Sequence, residues 1–133
     1  MYNNEIASAQ APRNDVVQQQ GDGMSHKVIL VSHTYIGQDD ELGRKLFAIF
    51  WRTLSESILA PETVCFLHEG VKALLPDSPV LEPLQLMAKD DVELIACKTC
   101  CEYYVISDKI VVGKIVTMGD IQEKLFSGEV IEI

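Results

Sequence analysis

Residues 27–57 read KVILVSHTYIGQDDELGRKLFAIFWRTLSES, and the change of pattern inside this stretch decides the fold. KVILVS (27–32) is a continuous apolar run rich in β-branched residues, as expected of a strand buried on both faces. From Asp39 onward the spacing becomes helical. Asp39 or Asp40 is placed to cap the helix N-terminus, and the acidic first turn suits the helix dipole. Leu42, Leu46, Ile49, Phe50 and Leu54 then recur at helical intervals. Phe47, Trp51 and Ile58 form a second apolar row, which widens the arc to roughly 200°, about twice what a surface helix buries. The excess, centred on Trp51, is expected to be covered by another subunit.

The rest of the chain repeats the alternation. TVCFLH (63–68), VELIAC (92–97) and EVIEI (129–133) read as further buried strands, and KIVVGKIVT (109–117) holds one more around Gly113. DSPVLEPLQLMAKD (77–90) offers Ser78 as N-cap and Pro79 as first helical residue, with Pro83 bending the first turn or marking a later start. A third helix is expected near Cys100, and a fourth, MGDIQEKLFS (118–127), stops at Gly128. Strands alternating with helices imply a parallel sheet covered on both faces. Residues 1–25 are polar and Gln/Asn-rich and are expected to be a flexible tail, with Met24 as an alternative start; residues 26–133 form the domain.

Composition narrows the function classes. The 133 residues suffice for one domain with a real core, and 47% of them are apolar. Twenty acidic against eleven basic residues give a net charge of −9, so nucleic acid and anionic membrane surfaces are not expected partners. No apolar run approaches the roughly 20 residues of a membrane span, and no secretory signal pattern opens the chain. A cytoplasmic location follows as the expectation. In that reducing compartment clustered cysteines are catalytic, redox-active or metal-binding more often than stapling.

Such a cluster occurs in ELIACKTCCEYYV (93–105). Parallel α/β sheets collect ligands and chemistry beyond the carboxyl ends of their strands. Cys97 ends its strand, and Cys100 and Cys101 open the next helix. His33 follows the first strand, and His68 with Glu69 ends the second, so all should share one edge. The positive end of the helix dipole and the Lys98 ammonium would both favour thiolate. The Cys97 sulfur is expected to stand above the sheet edge, with Cys100 near disulfide range of it. Cys101 should point away as a small core hydrophobe, and Cys65 should be packing. His33 and His68 read equally well as site-lining or as loop histidines, whereas Tyr103 and Tyr104 read as helix packing. One C-x-x-C with scattered histidines is a poor zinc signature, and no cofactor is called for. Three classes stay open: a persulfide-carrying sulfurtransferase-like protein, a Cys/His metal-binding module, and a non-catalytic oligomeric binding module.

Four segments carry a resemblance: ELGRKLFAIFWRTL (41–54), CFLHEGV (65–71), CKTCCEYY (97–104) and VGKIVTMGDI (112–121). In this order they resemble the DsrE/DsrF-like family, and most closely the C-terminal domain of YedF-type proteins. That family typically reads C-G-T-C-L-x-Y-Y at the cysteines, so Cys97, Thr99, Cys100, Tyr103 and Tyr104 match. Lys98 replaces the usual glycine, Cys101 the leucine, and Thr117 and His68 each an asparagine. The resemblance implies a flavodoxin-like three-layer α/β/α sandwich with a mainly parallel sheet of about five strands, and a homo-oligomer. It also implies a role in sulfur relay, with a link to selenium metabolism. In that role Cys97 is expected to bear the persulfide and Cys100 to attack or resolve it, with Lys98, Thr99, Cys101, His68 and His33 read from their positions as lining the site. A TusA-like domain precedes this one in full YedF-type proteins and is not in this sequence, so separate sulfur donor and acceptor proteins, a TusA-like carrier among them, are the implied partners.

Overall fold

The computed structural model describes residues 26–133; the expected tail, residues 1–25, and Met24 lie outside the described residues. In chain order come β1 (Lys27–Val31), α1 (Glu41–Ser55), β2 (Thr63–Phe66), a 3-10 helix (His68–Leu74), α2 (Leu81–Lys89) and β3 (Glu93–Cys97). They are followed by α3 (Lys98–Tyr103), β4 (Lys114–Val116), α4 (Met118–Ser127) and β5 (Glu129–Glu132). The five strands form one sheet in the order β4-β3-β2-β1-β5, and every neighbouring pair is parallel. The arrangement is a flavodoxin-like α/β/α sandwich.

Handedness distributes the helices. Three crossovers step from β1 to β2, β3 and β4, and the last returns across the sheet to the far edge. Right-handed crossovers place forward and returning helices on opposite faces. Accordingly, Phe47 and Trp51 of α1 and Leu84 and Met87 of α2 join one cluster with Ile29, Val31, Val64, Phe66, Leu94 and Ala96. On the other face Ile121 of α4, with Leu125 beside it, meets Val28, Cys65, Ile95 and Cys97. Lys124 of α4 also pairs with Glu93 at 2.9 Å, and Lys114 reaches the same carboxylate at 3.3 Å. These two cations, Lys124 first, hold the Glu93 carboxyl below its ordinary range.

Helix α1 is capped by Asp40, whose carboxylate accepts the Gly43 N–H at 2.7 Å. Gly43 is needed there, because a Cβ would fall 1.8 Å from the Gln38 carbonyl oxygen. The rotation of α1 corrects the expectation for its two apolar rows. Trp51 is fully buried and belongs to the core, whereas Leu42, Leu46 and Ile49 are 63%, 41% and 40% exposed. Aromatic area explains the choice. Burying an indole removes about 200 Å² from water, on the order of 5 kcal/mol, and Trp51 packs with Phe47, Phe50 and Phe66. Its Nε1–H has no hydrogen-bond partner, a cost of about 1–3 kcal/mol that burial outweighs. The uncovered apolar row is therefore Leu42–Leu46–Ile49, not one centred on Trp51.

Three boundaries differ from the sequence pattern. α2 begins at Leu81, so Pro83 marks the later start, lying in the first turn where a missing N–H leaves no helical bond unmade. α3 begins at Lys98, directly after the strand, instead of near Cys100. β5 is exposed along its whole length, because it is an edge strand and not a doubly buried one; Glu129 and Glu132 guard that edge against further pairing.

α3 ends in a Schellman turn: Ile106 N–H donates to the Cys101 carbonyl and Val105 N–H to that of Glu102. The left-handed position of this turn, usually glycine, is Val105 at φ 56°. A β-branched residue is strained there, and at 73% exposure its side chain returns little packing. Val105→Gly is expected to stabilise the fold by about 0.5–1 kcal/mol, the left-handed penalty less the entropy of glycine. Chemical denaturation reads this directly, and a lowered midpoint would show that the Val105 side chain makes contacts worth more than the strain.

Candidate functional site

Parallel strands bring the ends of β1, β2 and β3 to one edge, and the residues found there are His33, His68 and the Cys97–Cys101 run. The close approach of the 3-10 helix to β1 depends on Gly70, where a Cβ would lie 2.2 Å from the Val31 carbonyl oxygen. That approach sets His68 against α3. The His68 backbone N–H donates to Cys100 Sγ at 3.0 Å, and Cys97 lies within hydrogen-bonding range of the same thiol. Cys97, Cys100 and His68 thus converge.

Accessibility separates the cysteines. Cys97 is 1% exposed and packs under α4, Cys101 is fully buried on the opposite face, and Cys100 borders both clusters and is half-buried. The expected free-standing Cys97 sulfur is therefore not what the fold gives: its side chain points into the α4 face as β3 ends, and Cys100 is the thiol that solvent reaches. Cys101 does turn away, into the α1–α2 face with Ile106. Cys65 is buried at the centre of β2, and burial, followed by the Glu93 charge, pushes its thiol up to about 11.

The electrostatics also depart from expectation. Cys100 is held above the ordinary thiol range, by desolvation first and by its hydrogen bond with Cys97 second; the His68 N–H is the one contact that favours the thiolate. Lys98 does not serve it, because its ammonium pairs with Glu102 at 2.9 Å, one turn along α3. Such an exposed pair is worth only about 0.3–0.5 kcal/mol, but it turns the cation outward. Thr99 is exposed, and His33 stacks on Tyr35 with ring centroids 4.7 Å apart.

Two residues enter the site that the sequence pattern had left aside. Tyr104 Oη lies 3.2 Å from His68 Nδ1, and Lys72 Nζ sits 4.4 Å from the centre of the Tyr104 ring. Helical spacing was the available signal for Tyr104, which follows Cys100 by four residues. His68 itself has φ 50°, a left-handed geometry in which His and Asn are among the tolerated residues. Holding it there costs about 1–2 kcal/mol, so the surrounding contacts must fix it. Among the described residues no group of three or more His, Cys, Asp or Glu side chains is arranged to hold a metal ion.

No protein-family model matches the chain, and no curated protein matches it. Solved structures do share its fold. The YchN protein of E. coli aligns with a TM-score of 0.57 at 18% identity, over 80% of this chain and 98% of YchN. MTH1491 of Methanobacterium thermoautotrophicum, of unknown function, aligns at 0.56 and 20%, over 80% and 97%. BT1422 of Bacteroides thetaiotaomicron, a conserved protein of unknown function, aligns at 0.55 and 15%, over 89% and 100%. These likenesses establish the fold.

The reactivity order follows from geometry. In the native protein, iodoacetamide should alkylate Cys100 first, with Cys65, Cys97 and Cys101 protected by burial. The Cys100 rate should still be climbing above the pH at which an ordinary thiol has levelled off, because its ionisation is displaced upward. Peptide mass spectrometry assigns the label; Cys97 labelling as fast as Cys100 would contradict the order.

Proposed function

We propose that the protein is a sulfur-relay carrier in which Cys100 takes up a sulfane sulfur as a persulfide and Cys97 resolves it. The supporting observation is the pairing of one half-buried and one buried thiol at the carboxyl edge of β3. The Cys100 thiolate attacks the outer sulfur of a donor persulfide; the donor S–S bond breaks and the donor leaves as a thiol. Cys100 then bears –S–SH. An acceptor thiolate takes the outer sulfur by the same step. Alternatively the Cys97 thiolate attacks Cys100 Sγ, expelling hydrosulfide and leaving a Cys97–Cys100 disulfide, which a dithiol reductant reopens.

The four DsrE/F-like segments support this reading, and their YedF-type character extends it to selenium metabolism and to a TusA-like donor or acceptor. Resting thiols need a reducing compartment, so the proposed location is the cytoplasm; among the described residues no helix is long and apolar enough to cross a membrane. The assembly is proposed to be a homo-oligomer that covers Leu42, Leu46 and Ile49.

Incubation with a small-molecule persulfide donor should add about 32 Da to the Cys100 peptide, one sulfur per persulfide. Cys100→Ser should abolish loading, Cys97→Ser should prolong it, and Cys101→Ala should leave it unchanged. Full loading of Cys97 in Cys100→Ser protein would overturn the assignment.

Sedimentation tests the assembly separately. The wild type should sediment as a dimer or larger species at micromolar concentration, and Leu46→Glu should shift it toward monomer. A wild-type monomer sinks the oligomer.

A further inference from the structure

Cys100 sits against two elements that Tyr104 ties together. Tyr104 caps α3, one turn beyond Cys100, and its hydroxyl meets His68 Nδ1 at 3.2 Å. The same ring lies beneath the Lys72 ammonium. His68 and Lys72 both belong to the 3-10 helix, so a single phenol grips that helix at two points. The grip falls on the residue whose backbone is left-handed and whose N–H points at Cys100 Sγ. Strained backbone of this kind persists only where its surroundings over-determine it. We propose that Tyr104 is a positioning residue for the reactive thiol: by fixing the His68 ring it keeps the His68 N–H on Cys100 Sγ.

The chemistry of the link is simple. The phenol ionises above its ordinary range, through desolvation and then the Glu69 charge, so Tyr104 is protonated at neutral pH, and its hydroxyl and His68 Nδ1 share one hydrogen bond whose donor is set by the imidazole tautomer. Without the hydroxyl the ring swings free, and the 67–68 peptide relaxes toward ordinary backbone. Cys100 then loses the one contact that favours its thiolate, while the neighbouring thiols Cys97 and Cys101, and the Glu69 and Lys72 charges on the 3-10 helix, remain.

The inference rests on Cys100 being the reacting thiol, and alkylation tests it without any sulfur donor. Failed sulfur loading would leave it standing, and failure of the Tyr104 effect would leave sulfur loading standing. Tyr104→Phe keeps the ring under Lys72 and removes only the hydroxyl. It should slow alkylation of Cys100 at neutral pH by about three- to ten-fold, the reach of one ordinary hydrogen bond. The pH–rate midpoint should move up and the alkaline plateau should hold or rise slightly. A merely loosened site would instead expose Cys100 and speed alkylation at every pH. His68→Asn, which tolerates the left-handed backbone, should reproduce the effect, and the double variant should add nothing to either single one. Unchanged or faster alkylation in Tyr104→Phe, or additive effects in the double variant, would overturn the proposal.

Discussion

Because all five strands run parallel, every strand must be reached by a crossover, and every carboxyl end arrives at one edge of the sheet. The remaining architecture follows from that constraint. Forward crossovers take α1 and α2 to one face, the returning crossover takes α4 to the other, and the segments after β2 and β3 bring His68 to Cys100 on the edge where His33 also lies. In an antiparallel sheet the ends of β2 and β3 would lie about 15 Å apart, the length of a strand of this size. The contact between His68 and Cys100 is thus a product of topology before it is one of side chains.

At that contact two effects oppose each other. Desolvation and the neighbouring Cys97 thiol hold Cys100 protonated, and the His68 N–H draws it toward thiolate. The net displacement is upward, so burial and the second thiol win. A high thiol pKa reduces the thiolate fraction at neutral pH, but the thiolate that does form is the better nucleophile. The site therefore resembles a guarded thiol more than a fully activated one, and small movements of the His68 peptide act on the less populated side of the balance, where they matter most for rate.

The sequence pattern revealed strands, helices, their alternation and the shared edge, because hydrophobic period and strand order are properties of neighbouring residues. It narrowed the cap to Asp39 or Asp40, of which Asp40 is the one used, and it placed Cys97 at the end of a strand. What it missed depends on rotation and on distant partners. Trp51 and Leu46 are equally apolar in pattern, and only the sheet beneath α1 selects the aromatic row for the core. Lys98 lies next to Cys97 in sequence but pairs with Glu102, because an (i, i+4) carboxylate on a helix is nearer than an adjacent thiol on a strand. The left-handed turn at His68 is a backbone property that residue type permits but does not announce.

Coverage of the two faces differs, and the difference bears on the cysteines. Five strands span about 20 Å at ~4.8 Å each, while one helix is about 10 Å wide. Among the described residues α4 is the helix that shields its face, and it is centred on Cys65, Ile95 and Cys97. It leaves the flanking β5 bare. The burial of Cys97 is therefore a consequence of where the returning crossover passes. A thiol in that position is shielded from solvent yet adjacent to Cys100, so it faces Cys100 without facing bulk oxidants or foreign thiols. Cys101, one residue further along α3, is carried through about 100° into the opposite face and is kept apart from Cys97 by the same helix that brings Cys100 beside it.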